Sequence, residues 1–215
     1  MKNQYAGDLH DYRKLGILRI LSKFYNKIGV VWMLTENDDG NFGNQTSYLI
    51  ENKNNKKYEF FDTDLYEKLR EKFIEKENET EKFKEKECRK VKQLEDILNE
   101  ETGKFIFFDE VKDIKNTEGI DLLFFDPDDG IGKPNSDKHL SWEEFNKYTD
   151  KDILIVQFIR YNNQIKSIAD SIRNNIKDKE VLTVKGGNVA YFYIANAEKI
   201  TEVKKKFSDI VLLPI

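Results

Sequence analysis

The sequence predicts an α/β fold: a Rossmann-like, mostly parallel sheet with helices on both faces. Two patterns carry this. Short, almost wholly apolar runs at 28–34, 104–108, 120–125 and 152–159 have strand length and end in polar or acidic residues. Such runs suit strands covered on both faces, as in parallel sheets. Segments with helical spacing lie between several of them, the alternation that builds such a sheet. A third pattern, two β-rich runs around Lys185, Gly186, Gly187 and Asn188, predicts an antiparallel hairpin near the C-terminus.

The first helix is expected over 11–26. Leu15, Leu18, Ile17, Leu21 and Phe24 recur at helical spacing, and Asp8 is placed to cap it. The run at 28–34 follows and opens into the polar loop TENDDGNFGN (35–44). Residues 48–50 and 58–61 read as short strands joined by a turn at 51–57. Residues 63–101 form a charged helical insertion with one apolar stripe from Leu65, Leu69 and Phe73 and a second from Val91, Leu94, Ile97 and Leu98. Its centre, 75–87, is almost pure Glu and Lys and reads as a solvated arm or linker. Further on, the pattern predicts a capped helix at 142–148, a helix at 164–176, paired strands at 181–184 and 189–194, a helix at 197–207 and a last strand at 210–213. The chain thus reads as one α/β domain, residues 1–215, carrying the insertion.

Composition narrows the function classes. Thirty-six basic against 40 acidic residues give a net charge of −4, which disfavours a general nucleic-acid coat. A single cysteine, Cys88, excludes an internal disulfide and a cysteine-built zinc site. Fifteen Phe and ten Tyr supply a core. No apolar run reaches membrane-spanning length, and the start lacks a signal-peptide stretch, so a soluble, cytoplasmic protein without a membrane partner is expected.

Ligands of open α/β sheets bind beyond the carboxyl ends of the strands. The sharpest signal there is LLFFDPDDGI (122–131), four large apolar residues running into Asp126, Asp128 and Asp129. A turn needs only one of these acids, and three in four residues repel one another unless a cation or donors balance them. The loop Asp39, Gly40 and Gly43 follows the first strand and could let a ligand approach its backbone. Asp62 either caps the next helix or accepts from ribose hydroxyls. His10 and His139 read as surface histidines. The start NQYAGDLHDYRK (3–14) is rich in hydrogen-bonding side chains and reads as a segment packed over the site.

Two resemblances follow from these motifs. NQYAGD (3–8), DYRK (11–14) and FFDPDDGI (124–131) resemble a bacterial and phage-associated family from which no activity carries over. More distantly, the layout resembles Rossmann-like S-adenosylmethionine-dependent methyltransferases, including the three-cysteine-motif partner group. Asp126 and Pro127 match the first two positions of the Asp-Pro-Pro-Tyr motif of amino-methyltransferases. Asp128 and Asp129 stand where that motif has its second proline and its aromatic ring. The resemblance implies methyl transfer from S-adenosylmethionine to an unknown substrate, a nucleic acid or a protein. Asp126 would accept from the target amine, with Pro127 beside it. Asp39, Gly40 and Gly43 would touch the methionine part of the cofactor, and Asp62 the ribose. Two other classes stay open. One is a magnesium-dependent nuclease or phosphoryl-transfer enzyme with Glu36, Asp126 and Asp128 as ligands. The other is a non-catalytic module in phage–host conflict, binding through residues 63–101 and a tyrosine-rich surface.

Overall fold

A computed structural model of the chain describes residues 1–40, 45–50, 56–77, 80–132 and 138–211. In chain order the elements are α1 (Leu9–Leu21), β1 (Ile28–Val31), α2 (Lys56–Phe61), α3 (Thr63–Phe73), β2 (Ile74–Glu77), β3 (Thr80–Phe83), α4 (Val91–Thr102), β4 (Phe105–Phe108) and β5 (Leu122–Phe125). There follow β6 (Gly130–Gly132), β7 (His139–Ser141), α5 (Trp142–Asn146), β8 (Asp152–Phe158), α6 (Asn163–Asn175), β9 (Glu180–Gly186), β10 (Val189–Ala195) and α7 (Ala197–Val211).

Six strands form the central sheet in the order β4-β1-β5-β8-β10-β9. β4, β1, β5 and β8 are mutually parallel, and β10 runs antiparallel to both its neighbours. The expected α/β architecture and closing hairpin are therefore present. The chain leaves β1 for β4 on one side and then crosses to β5 on the other. This places the reversal of strand order between β1 and β5.

Side chains alternate across the sheet and divide the core in two. Val30, Phe124, Leu154, Val156 and Tyr191 pack against α1, α3, α4 and α7, through residues such as Leu15, Leu69, Leu94 and Val203. Val31, Leu123, Phe125, Ile155 and Phe192 pack against α5 and α6 through Phe145, Ala169 and Ile172. Asp8 caps α1 by accepting from the amides of His10 and Asp11, and Ser141 with Glu144 forms the capping box of α5, as the sequence indicates. No helix among the described residues is long and apolar enough to cross a membrane.

Four local expectations are overturned. Residues 47–49 form a 3₁₀ turn and 56–61 a helix, where two strands were expected; the turn's residues 51–55 lie outside the described residues. Short aromatic runs do not distinguish strand from helix by period. Here tertiary contacts decide, with Tyr48 donating to the Gly7 carbonyl and Tyr12 to that of Tyr58. The expected arm contains the hairpin β2–β3. Its register sets Glu75 opposite Lys82 and Lys76 opposite Glu81, so the alternating charges pair across strands. The insertion's helices α3 and α4 belong to the core, since Leu65, Leu69, Phe73, Leu94, Ile97 and Leu98 are fully buried. At the end of the chain, α7 continues through Val211, so 210–211 are helical; 212–213 lie outside the described residues.

Candidate functional site

α1 is buried on all sides through its first two turns, including the charged side chains of Asp11, Arg13 and Lys14. Burying charges costs several kcal/mol each unless they are matched. The match is a compact set at the carboxyl ends of the strands. Lys14 Nζ lies 2.7 Å from Asp126 Oδ2 and 3.1 Å from Asp11 Oδ1. Asp11 Oδ2 accepts from the Gly7 amide at 3.0 Å. The spacing of Asp8, Asp11 and Lys14, three residues apart each time, puts them on one helix face.

Asp126 follows β5, and its amide donates to the carbonyl of Val31 at the end of β1, 3.0 Å away. It therefore stands at the reversal point, where open α/β sheets place their ligands. Lys14 takes its Oδ2; among the described residues Oδ1 has no partner. Next to it, Asp128 accepts from the Thr35 hydroxyl at 2.6 Å and lies 2.6 Å from the amino group of Met1. Residues 1–5 cross this rim: the Met1 amino group donates to the Met33 carbonyl, and the Asn3 side chain accepts from the Val91 amide.

The electrostatics of the set are skewed. Burial, reinforced by Asp11, pushes the Asp8 carboxyl well above the usual carboxylate range, against the pull of Lys14 and two amides. Burial likewise raises Asp11, against Lys14. Burial alone would lower the Lys14 ammonium, but Asp126, Asp11 and Asp8 outweigh it and raise its pKa. Burial, with Lys14 and Arg13 nearby, drops His10 to about 4, so its ring is neutral at pH 7.

The remaining candidates separate. Pro127 is buried. Asp129 is exposed and donates its amide to the Lys138 carbonyl. Glu36 and Asp39 are exposed. Gly40 is tied down, its carbonyl accepting from Tyr5 Oη at 2.9 Å and Lys86 Nζ at 3.0 Å. Gly43 lies outside the described residues. Asp62 is the N-cap of α3, accepting from the Leu65 amide, and pairs with Arg19 at 3.0 Å. Arg19 sits eleven residues beyond Asp8, roughly 16 Å along α1 and toward the opposite end of the sheet. Among the described residues no group of three or more His, Cys, Asp or Glu is placed to hold a metal. Glu36, Asp126 and Asp128 do not form one, because Lys14 occupies Asp126 and Thr35 occupies Asp128. The expected tyrosine-rich surface is also absent among the described residues: seven tyrosines are in the core, and Tyr161 alone is a strongly exposed large hydrophobic.

Searches against protein-family models, curated proteins and solved structures give no match to the chain. The site therefore stands on its own geometry. That geometry adds residues that sequence reading passed over: Asp11, Arg13, Lys14, Tyr191 and His10, the last buried rather than at the surface. The polar start at 3–14 and the three-residue spacing from Asp8 to Lys14 were the signal available.

Proposed function

We propose that the protein is a group-transfer enzyme whose active site is the crevice at the ends of β1, β5 and β8. One observation carries the reading. Asp8, Asp11, Lys14 and Asp126 are all buried at the point where strand order reverses. A core has no need of such a set, and buried ionisable groups with shifted pKa values at the strand ends mark functional sites.

The transferred group that the layout supports is a methyl group from S-adenosylmethionine. A helix precedes β1, Asp126 and Pro127 follow the strand beside it, and a reversed strand closes the sheet, as in the methyltransferases this sequence resembles. Two of the cofactor contacts inferred by that resemblance do not fit. Asp62 serves α3 and Arg19 at the far end of α1, and the Asp39–Gly40 loop is held by Gln4, Tyr5 and Lys2.

The chain's own residues have separable tasks. Lys14 and Asp11 fix Asp126 Oδ2, leaving Oδ1 as the acceptor that orients a donor group of the substrate. Asp8 and Asp11, whose carboxyls burial raises above the usual carboxylate range, supply a site to take up or release a proton. Residues 1–5 exclude water from above.

Calorimetric titration of the full chain with S-adenosylmethionine and with S-adenosylhomocysteine tests the donor. Saturable heat that weakens in Asp126→Asn is expected. An absence of heat with both compounds rejects methyl transfer.

A further inference from the structure

Arg13 is the cation of α1 that the acidic set does not neutralise. It is 4% exposed, yet Nε and Nη2 have no hydrogen-bond partner, and among the described residues no carboxylate pairs with it. Two other buried polar atoms in this quarter are also without partners, Tyr191 Oη and His10 Nδ1. Each unsatisfied buried donor costs about 1–3 kcal/mol, more when charged. Leucine or methionine would fill the same space without that cost.

The register of the sheet brings the three together. Val189 of β10 is flanked by Phe158 of β8 and Gly186 of β9. The His10 ring stands edge-on to Phe158, with centroids 5.4 Å apart. Arg13 lies over Gly186, its Cδ 3.8 Å and its Nε 3.9 Å from where a Cβ on that glycine would be. Tyr191, two residues along β10 and so on the same face of the sheet as Val189, lies in the core that packs against α1. Asp126 and Asp11 are nearby but are held by Lys14.

We propose that Arg13 and Tyr191, with His10 beside them, form a subsite for an oxyanion group of the substrate, a phosphate or a carboxylate. The Nε and Nη2 edge of a guanidinium offers two parallel N–H donors that match two oxygens of one such group. The Tyr191 hydroxyl supplies a third donor. His10 adds no charge, so the subsite carries a single fixed positive charge. The subsite lies in the crevice read above as the active site, and rests on that reading for its role in catalysis. Its occupancy is tested separately from the methyl donor.

The test is thermal unfolding of the full chain with inorganic phosphate or acetate at constant ionic strength. It is run on the wild type, Arg13→Gln and Tyr191→Phe. Both variants are expected to fold, because Arg13→Gln removes an unpaired buried charge and Tyr191→Phe an unsatisfied buried hydroxyl. We expect concentration-dependent stabilisation of the wild type by one or both anions. The apparent affinity should fall about ten- to a hundredfold in Arg13→Gln and less in Tyr191→Phe. Stabilisation by phosphate alone assigns a phosphate-bearing substrate, and by acetate alone a carboxylate-bearing one. No stabilisation by either anion, or equal stabilisation of wild type and Arg13→Gln, overturns the subsite. Neither result depends on whether S-adenosylmethionine binds.

Discussion

Lys14 and Asp126, 112 residues apart in sequence, meet at 2.7 Å with both side chains buried. The contact ties the second turn of α1 to the end of β5, at the point where strand order reverses. Its energetic weight is asymmetric. The intact pair adds little beyond what a well-packed apolar pair would, but half of it is a buried charge without a partner.

Lys14→Met should therefore destabilise the chain by about 3–5 kcal/mol. Asp126→Asn, made in the Lys14→Met background, should cost far less than in the wild type, because the charge it removes is already uncompensated. Urea unfolding of both single variants and the double variant measures the coupling. Strictly additive losses would show that the pair does not act as a unit.

His10 makes stability depend on pH in a defined direction. Its folded pKa is about 4 against 6.5 for an ordinary histidine, because burial and the Lys14 and Arg13 charges oppose protonation. Between these values the folded state binds fewer protons than the unfolded chain. The contribution is thus complete above pH 6.5 and is lost as pH falls toward 4, by about 3 kcal/mol. Asp8 and Asp11, whose carboxyls are raised, run the other way, so total stability is not diagnostic. The stability difference between wild type and His10→Phe isolates the effect, and should shift in favour of the variant as pH is lowered. A pH-independent difference would contradict a buried, neutral His10.

How far the sequence carries can be seen residue by residue. The strands around Val31, Phe125 and Ile155 were legible because they are apolar on both faces, and Asp126 was legible because acids directly follow such a run. Lys14 was not. Read along the helix it is one of several polar residues in the first turns of α1, and only the fold shows that α1 has no solvent face there. The β2–β3 hairpin was hidden for a related reason: its Glu and Lys residues suggest a solvated helix until Glu75 and Lys82 are seen opposite each other. Asp62 was ambiguous in sequence between cap and ligand contact. Its partners, Leu65 and Arg19, place it in a structural role.

That role gives a negative control. Asp62→Ala should remove the α3 cap and the contact with Arg19, at a cost of about 1 kcal/mol. Heat released with S-adenosylhomocysteine and stabilisation by phosphate should both match the wild type. A selective loss of either response at unchanged stability would return Asp62 to the ligand site.

Gly130 fixes the loop that carries Asp128. Its φ of +83° lies in the left-handed region, and a Cβ there would fall 1.9 Å from Gln157 Oε1. That oxygen accepts from the Ile131 amide at 3.0 Å, while Gln157 Nε2 donates to the carbonyl of Phe158 at 3.0 Å. Gly130→Ala thus incurs backbone strain of about 1–3 kcal/mol and displaces a buried hydrogen bond worth about 1 kcal/mol more. In a Gln157→Ala background the collision and the hydrogen bond are already gone, so the same substitution should cost only the strain. Chemical unfolding of the four proteins separates the two contributions. If Gly130→Ala costs the same in both backgrounds, Gln157 is not what confines Gly130, and backbone conformation alone selects the glycine.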